Sequence, residues 1–420
     1  MNCSLYIHIP FCKKKCDYCD FFSIGEPTRK GKCNDLTDSY IVSLLNEARF
    51  YADFYKIPAW ETVYVGGGTP SLLSNAQIAT LFSGLKKIAP FSERCELTFE
   101  MNPDDVSEEF LKTCSRVGIT RLSMGIQALD DKTLAYVNRG SSVKIILNAL
   151  ENLRKFWNGS LSVDFIAGLP SHTWKSFKNQ FEILKKYQNI DHVSLYTLTV
   201  EENTPLAKKI SDGSINFSYG KADKMWISGR NILEKLGFFQ YEVSNFSKKG
   251  FESRHNQTYW KQKNYLGVGA GASSTIYDFE KKSALRWTNT FSIPAYERKF
   301  SAILRETSDT LNNASVIPSL DLNAELQNLP RTTEILDCKT LEFEFLMMGF
   351  RRLEGVCDTD FKNRFGKDLG SRIGADNSNG IFAQWKRKRL ATTQKTKSGT
   401  FYALNKRGIL LLNRFLEELL

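Results

Sequence analysis

The sequence predicts an α/β protein: an open, partial (β/α)6 TIM-like barrel followed by a smaller winged-helix-like α+β module. Three observations predict it. A strand-like run followed by a helical pattern recurs six times between residue 1 and about residue 200. The glycine-rich and polar residues of that region gather at the ends of the strand-like runs. Beyond residue 337 the order changes to helix, helix, helix, strand, turn, strand, helix.

The six strand-like runs are residues 5–9, 62–65, 96–100, 121–126, 161–166 and 192–198, with helical patterns over 40–51, 77–88, 108–116, 143–156 and 174–187 between them. Such alternation implies parallel strands joined by right-handed crossovers. Six units are too few to close an eight-stranded barrel, so the sheet is expected to stay open. A helix over 219–236 and a short strand over 239–243 follow. The expected division is a barrel over 1–235, an extension of it over 236–302, a polar linker or insertion over 303–336, and the C-terminal module over 337–420. That module carries a hairpin from 389–393 and 401–404 around a turn at 395–399, then an amphipathic helix over 407–419. Winged-helix modules often bind DNA, but they also serve as lids or docking domains, and fold alone does not decide between these uses.

Composition narrows the class. The chain has 420 residues, 42% hydrophobic and 25% charged, which is ordinary for a globular protein with a large core. Nine cysteines, an odd number, fit a reduced intracellular protein better than a disulfide framework. Residues 1–4 show no basic-then-apolar leader, and no apolar run reaches membrane-spanning length, so a cytoplasmic location is expected. The net charge of +11 is spread along the chain. Its local runs, such as Lys386-Arg387-Lys388-Arg389, read first as solvated faces, and no nucleic-acid partner is expected.

The chemistry begins at Cys12-Lys13-Lys14-Lys15-Cys16-Asp17-Tyr18-Cys19, directly after the first strand. Thiolates suit zinc or iron–sulfur clusters. A [4Fe–4S] cube normally takes four cysteines, so three leave one iron open to a non-protein ligand. A Cys3His zinc site using His8 competes, although a histidine inside a strand has its direction set by the pleat. In parallel barrels the site forms at the carboxyl ends of the strands. Gly66-Gly67-Gly68-Thr69-Pro70, Glu100-Met101-Asn102-Pro103, Gly125-Ile126-Gln127 and Asp164 all fall there, with Arg139 soon after. The triple glycine either makes a tight turn or brings bare backbone to a ligand. Further on, Arg254-His255-Asn256-Gln257-Thr258-Tyr259-Trp260 precedes the small-residue stretch 267–274, where the backbone is expected to approach something closely.

These residues resemble the radical S-adenosylmethionine superfamily. With Tyr6, Gly67-Gly68-Thr69-Pro70, Glu100, Gln127, Arg139 and Asp164 they are similar to its oxygen-independent coproporphyrinogen III oxidase branch, and within it to the HemW-type heme chaperones. Two features separate chaperone from oxidase. Phe21 stands where the oxidase has a further cysteine, and His255-Asn256-Gln257-Thr258-Tyr259-Trp260 matches the chaperones' His-Asn-x-x-Tyr-Trp signature.

The resemblance implies a place in porphyrin metabolism and three cofactors: a [4Fe–4S] cluster on Cys12, Cys16 and Cys19, S-adenosyl-L-methionine, and heme. Gly67, Gly68 and Thr69 would line the methionine end through backbone, Glu100 the ribose, and Arg139 a carboxylate in a two-pronged pair. Gln127 and Asp164 would complete the pocket, and Tyr6 and Tyr18 would flank the cluster and adenosyl group. His255 would ligate heme iron, and Arg254 and Lys261 would meet its propionates. Recipient apo-hemoproteins such as respiratory cytochromes, a cluster-dependent homodimer and transient membrane-surface contact are implied by family alone. Oxidative decarboxylation of coproporphyrinogen III stands as the alternative activity, and a zinc-containing DNA-binding protein as a third reading.

Overall fold

The computed structural model describes residues 1–25, 33–301 and 329–420. The expected alternation is present. Strands β1 (Cys3–Ile9), β2 (Trp60–Gly67), β3 (Phe91–Met101), β4 (Arg121–Gln127), β5 (Ser160–Ala167) and β6 (His192–Thr197) lie side by side in chain order, all parallel. Helices α1 (Cys33–Phe54), α2 (Asn75–Ile88), α3 (Glu108–Arg116), α4 (Asp131–Tyr136) and α5 (Val143–Phe156) run between them. The helices start where the side chains dictate. Ser74, Ser107, Asp130 and Ser142 each accept a backbone N–H in the first turn of the helix they precede, satisfying a donor that the helix cannot. The helical pattern over 174–187 is broken into Trp174–Asn179, a tight turn at Gln180–Glu182, and Ile183–Lys186.

The sheet does not end with these six. Strands β7 (Phe239–Gln240) and β8 (Asn245–Ser247) extend it antiparallel beyond β6. At the other edge β9 (Tyr265–Val268) pairs parallel with β1, followed antiparallel by β10 (Ser273–Asp278), β11 (Ser283–Asn289) and β12 (Arg331–Leu336). Among the described residues the result is a twelve-stranded sheet whose two end strands remain apart, an open partial barrel. Of the polar connection expected over 303–336, residues 303–328 lie outside the described residues, and its last six form β12. The close backbone approach expected at 267–274 is to the protein itself. A Cβ on Gly269, whose φ is +108°, would lie 2.7 Å from the His8 carbonyl oxygen and 2.8 Å from the Tyr40 hydroxyl.

The C-terminal module has one helix more than expected ahead of its hairpin. Helices at Cys338–Gly349, Asp358–Phe365, Leu369–Ile373 and Ile381–Arg387 precede the antiparallel strands Ala391–Thr396 and Gly399–Leu404, and Leu412–Leu419 closes the chain. The module has its own apolar core, in which Phe350, Phe361, Trp385 and Phe415 are buried, separate from the barrel's. Arg364 ties the two units together by donating to the Gln262 side chain at 2.8 Å and to its carbonyl at 2.9 Å. No helix among the described residues is long and apolar enough to cross a membrane.

Burial sets the acid–base behaviour of the folded chain. All four histidines are held below their ordinary pKa by burial, His172 at about 4 and His255 at about 3, with His8 and His192 moved in the same direction. Burial pushes Glu47, Glu100 and Glu242 up to about 7 and Asp191 up to about 6. The two sets oppose each other. Neutral buried histidines make stability rise with pH up to 6.5, because the unfolded chain binds the extra protons, while the raised carboxyls make it fall between about 4.5 and 7. Stability of the cluster-free protein is therefore expected to be flat from about pH 4.5 to 6.5 and to drop on both sides. Urea midpoints across this range check it, and a steady rise from about pH 5.5 to 8 contradicts it.

Candidate active site

The cysteine loop leaves β1 at Pro10 and is clamped by protein groups alone. The Asp17 N–H donates to the Val137 carbonyl at 3.1 Å, the Asp17 carbonyl accepts from the Leu206 N–H at 2.9 Å, and the Asp17 carboxylate pairs with Lys209 at 2.5 Å. Lys13 reaches Asp105 at 2.6 Å. The loop thus hangs over the carboxyl ends of the parallel strands, the face on which such barrels build their sites.

A cavity of about 490 Å³ opens there. Its walls include Cys12, Cys16, Tyr18, Cys19, Gly67, Gly68, Thr69, Glu100, Gln127, Arg139 and Asp164, so eleven of the thirteen expected site residues meet in one place. All eight cysteines with described side chains are free thiols. Two donors already point at cysteine sulfurs of the loop: the Thr69 hydroxyl lies 3.5 Å from Cys12 Sγ, and Arg139 Nη1 lies 3.7 Å from Cys16 Sγ. Arg139 Nη2 is spent on the Asn102 side chain and the Gly125 carbonyl, both at 2.7 Å, whereas its Nε is buried without a partner and remains for a ligand.

The glycine stretch spends its backbone donors within the protein. Gly67 N–H donates to Glu100, Gly68 N–H to the Ile9 carbonyl and Thr69 N–H to the Phe11 carbonyl, so none of these three donors is left for a ligand. Gly67 is needed at its position because φ is +111° and a Cβ would sit 2.6 Å from the His8 ring. Glu100 is fixed by the Tyr64 hydroxyl at 2.6 Å; its burial, with Asp164 adding to the effect, raises its pKa to about 7. Asp164 accepts from Ser123, and its pKa is also raised by burial. Gln127 adopts the left-handed conformation at φ +68°, where β4 slips register against β5, and its amide folds back over Gly125.

Two expected site residues lie elsewhere. Tyr6 is inside the barrel, its hydroxyl 3.0 Å from His8 Nδ1 and its ring 6.2 Å from that of Tyr64, and it does not line the cavity. His255 is only 1% exposed, and both ring nitrogens are engaged, Nδ1 with Thr62 at 2.7 Å and Nε2 with the Tyr259 hydroxyl at 2.8 Å. Its ring packs 5.0 Å from Tyr64, beneath the site, and ligation of an iron requires it to leave at least one of these partners. His8 likewise spends its nitrogens on Tyr6 and the Phe22 carbonyl. Among the described residues no three His, Cys, Asp or Glu groups converge as a single-ion site. A cube takes each thiolate on a different iron, so its ligands need not meet at a point. The free thiols, the donors facing them and the orphaned Arg139 Nε fit a cluster with an anionic ligand beside it.

Sequence reasoning left Tyr64, Asn102 and Ser123 without a role. Asn102 stands in the rim sequence that follows Glu100, and it bridges Arg139 and Thr69. Tyr64 and Ser123 carry a weaker signal, as hydrogen-bonding side chains next to the apolar residues Val63, Val65, Leu122 and Met124 of their strands.

Residues 6–210 match the model of the Radical SAM superfamily. The solved coproporphyrinogen III oxidase (HemN) from Escherichia coli, described as a Radical SAM enzyme, covers 100% of this chain and 90% of its own at a TM-score of 0.76 and 20% identity, a likeness of fold. A radical SAM protein is therefore the class that barrel and cysteine loop define. The heme chaperones HemW of Lactococcus lactis and Bacillus subtilis are each 30% identical, over 86% and 87% of this chain and 85% and 88% of their own. The chain belongs to the HemW heme chaperone family within that superfamily. It is also 35% identical over 271 residues to a mitochondrial radical S-adenosyl methionine domain-containing protein of Mus musculus, 64% of this chain and 60% of that one.

Proposed function

We propose that the protein is a heme chaperone that holds a [4Fe–4S] cluster and S-adenosylmethionine at the barrel rim, binds heme, and passes it to apo-hemoproteins such as respiratory cytochromes. The observation that supports this reading is similarity to HemW chaperones along most of the chain. Phe21 agrees with it: the ring is 68% exposed at the mouth of the site, and a side chain of that kind supplies no fourth thiolate.

In this proposal Cys12, Cys16 and Cys19 would hold the cluster, leaving it open to S-adenosylmethionine beside it. The bound cluster supplies an open metal coordination position and an electron. Arg139 neutralises the thiolate end through Cys16 and turns its unpartnered Nε toward the ligand's carboxylate. Glu100 receives ribose hydroxyls, with Tyr64 holding it in place, and Asp164 and Gln127 border the adenosyl side. Neutral imidazole is the form that ligates iron, and burial keeps His255 neutral. His255 would hold the heme iron only in a state where Thr62 or Tyr259 has released it.

Anaerobic reconstitution followed by heme titration tests the proposal. A saturable Soret band is expected, with no protoporphyrinogen formed when coproporphyrinogen III and a reductant are supplied. Absence of the band overturns heme binding, and product formation replaces the chaperone with the oxidase.

A further inference from the structure

The lumen of this barrel is polar where parallel barrels ordinarily carry layers of branched apolar residues. Below the rim lies a chamber of about 40 Å³, bordered by Thr98, Ser123, Ser162, Asp164, His192 and Ser194 among others. It shares Ser123 and Asp164 with the cofactor cavity above. It shares Arg121 with a cavity of about 960 Å³ at the amino-terminal ends of the strands, which Tyr241, standing between β7 and β8, also lines.

A continuous chain of hydrogen bonds joins the two cavities. Ser162 stands two residues before Asp164 on β5, so both side chains face the lumen, and its hydroxyl bonds to the Asp164 carboxyl. Ser162 lies directly opposite His192 on β6, with its Oγ 2.8 Å from His192 Nδ1. His192 Nε2 is 2.9 Å from the Tyr241 hydroxyl, whose oxygen also accepts the Ser253 N–H at 3.1 Å. Carboxyl, hydroxyl, neutral imidazole and phenol can each give and take a proton. Burial of His192, with Arg121 near it, lowers its pKa and keeps the ring neutral, and burial raises the pKa of Asp164. The charged and titratable groups facing the chain are Tyr64 on β2, Glu100 on β3, Arg121 on β4, Tyr196 on β6, and Glu96 and Glu242 at the Tyr241 end. Arg121 Nη1 is spent on the Ser160 hydroxyl and the Phe251 carbonyl. A cationic ligand above Glu100 and Asp164 favours their ionised forms, and the protons they lose need a way out once that ligand covers the rim.

We propose that Asp164, Ser162, His192 and Tyr241 form a proton relay through the barrel, by which the buried acids of the cofactor site exchange protons with water at the opposite end. In one transfer the Asp164 carboxyl gives its proton to Ser162 Oγ and the Ser162 proton passes to Nδ1. The Nε2 proton then passes to the Tyr241 oxygen, and the phenol proton leaves to water in the lower cavity. Asp164 ends as carboxylate, imidazole and phenol stay neutral, and His192 changes from the Nε2–H to the Nδ1–H tautomer. The need for an exit below a covered rim rests on the S-adenosylmethionine reading; the coupling of Asp164 to the His192 tautomer does not.

The test uses the full chain in two forms. In cluster-free protein with isotope-labelled histidine, the nitrogen resonances of His192 are assigned by their loss in His192→Gln or, should that variant not fold, by the shift that Tyr241→Phe imposes on Nε2. These two nitrogens are expected to exchange protonated and unprotonated character as the infrared carbonyl band of Asp164, identified by its absence in Asp164→Asn, disappears with rising pH. One tautomer throughout, a charged ring, or a band that does not change overturns the relay. In the reconstituted complex with S-adenosylmethionine, Tyr241→Phe is expected to slow loss of that band after a pH jump about tenfold or more. Tyr187→Phe, whose hydroxyl bonds to Glu151 on α5 away from the lumen, is expected to leave the rate unchanged. A wild-type rate in Tyr241→Phe, or equal slowing in both variants, overturns passage through the barrel. Failure of S-adenosylmethionine to bind overturns the cofactor reading instead, and the tautomer measurement then decides the relay.

Discussion

Cys16→Ser is expected to lower iron in the anaerobically reconstituted protein from about four atoms per chain to a small fraction of that, with matching loss of acid-labile sulfide. The fold should survive, because the loop is held by Asp17, through the Val137 carbonyl, the Leu206 N–H and Lys209, and a serine hydroxyl can still accept from Arg139 in place of the Cys16 sulfur. Serine keeps the size but is a much poorer ligand for iron than thiolate. Near-unchanged circular dichroism with lost iron is the expected signature. Full iron retention in this variant would mean that the cluster is held elsewhere, and the rim assignment would fall. A control at Cys114, which is buried on α3 away from the cavity, should leave iron content unchanged after replacement by alanine.

The second large effect concerns stability. His255→Ala is expected to destabilise the protein by about 3–5 kcal/mol, combining a ring-sized cavity with two hydroxyls left without partners. The hydroxyls are those of Thr62 and Tyr259, and the cavity opens beside Tyr64, which in turn holds Glu100. Urea unfolding of the cluster-free variant measures the loss, and a change below about 1 kcal/mol contradicts the structural role. The consequence for function is direct. Reduced heme binding in this variant can arise from a loosened barrel interior as well as from a missing ligand. Tyr259→Phe separates the two, since it frees one nitrogen of His255 while keeping the ring: it should cost less stability and, if His255 ligates iron after release, should strengthen heme binding.

Much of the site is legible in the sequence because its parts are local. The three cysteines lie within eight residues of one another, and each rim residue follows its own strand, so the parallel order of the strands is enough to bring them together. Chain order and spatial order coincide from β1 to β6, which is the simplest mapping a βα repeat permits. What the sequence left open concerns residues whose partners are distant. The stretch around Gly267 read as a close backbone approach without a named partner; the partner is the protein itself, where β9 ends beside β1, Ser4 opposite Tyr265. Gly67, Gly68 and Thr69 line the cavity as expected of a backbone lining, and only the packed fold shows that their N–H groups go to Glu100 and to the chain around β1.

The barrel, its open end, the cysteine loop and the strand-end residues all follow from local sequence, because period, spacing and residue chemistry are properties of short segments. Where long-range contacts place a side chain follows only from the packed fold. His255 is a buried strut because Thr62, on the second strand, lies within hydrogen-bond reach of a helix 193 positions later. Lys261 and Lys263 form one charge cluster with Arg352 because the C-terminal module folds back against the barrel. Burial and pairing of that kind depend on the whole packed chain, and no local pattern encodes them.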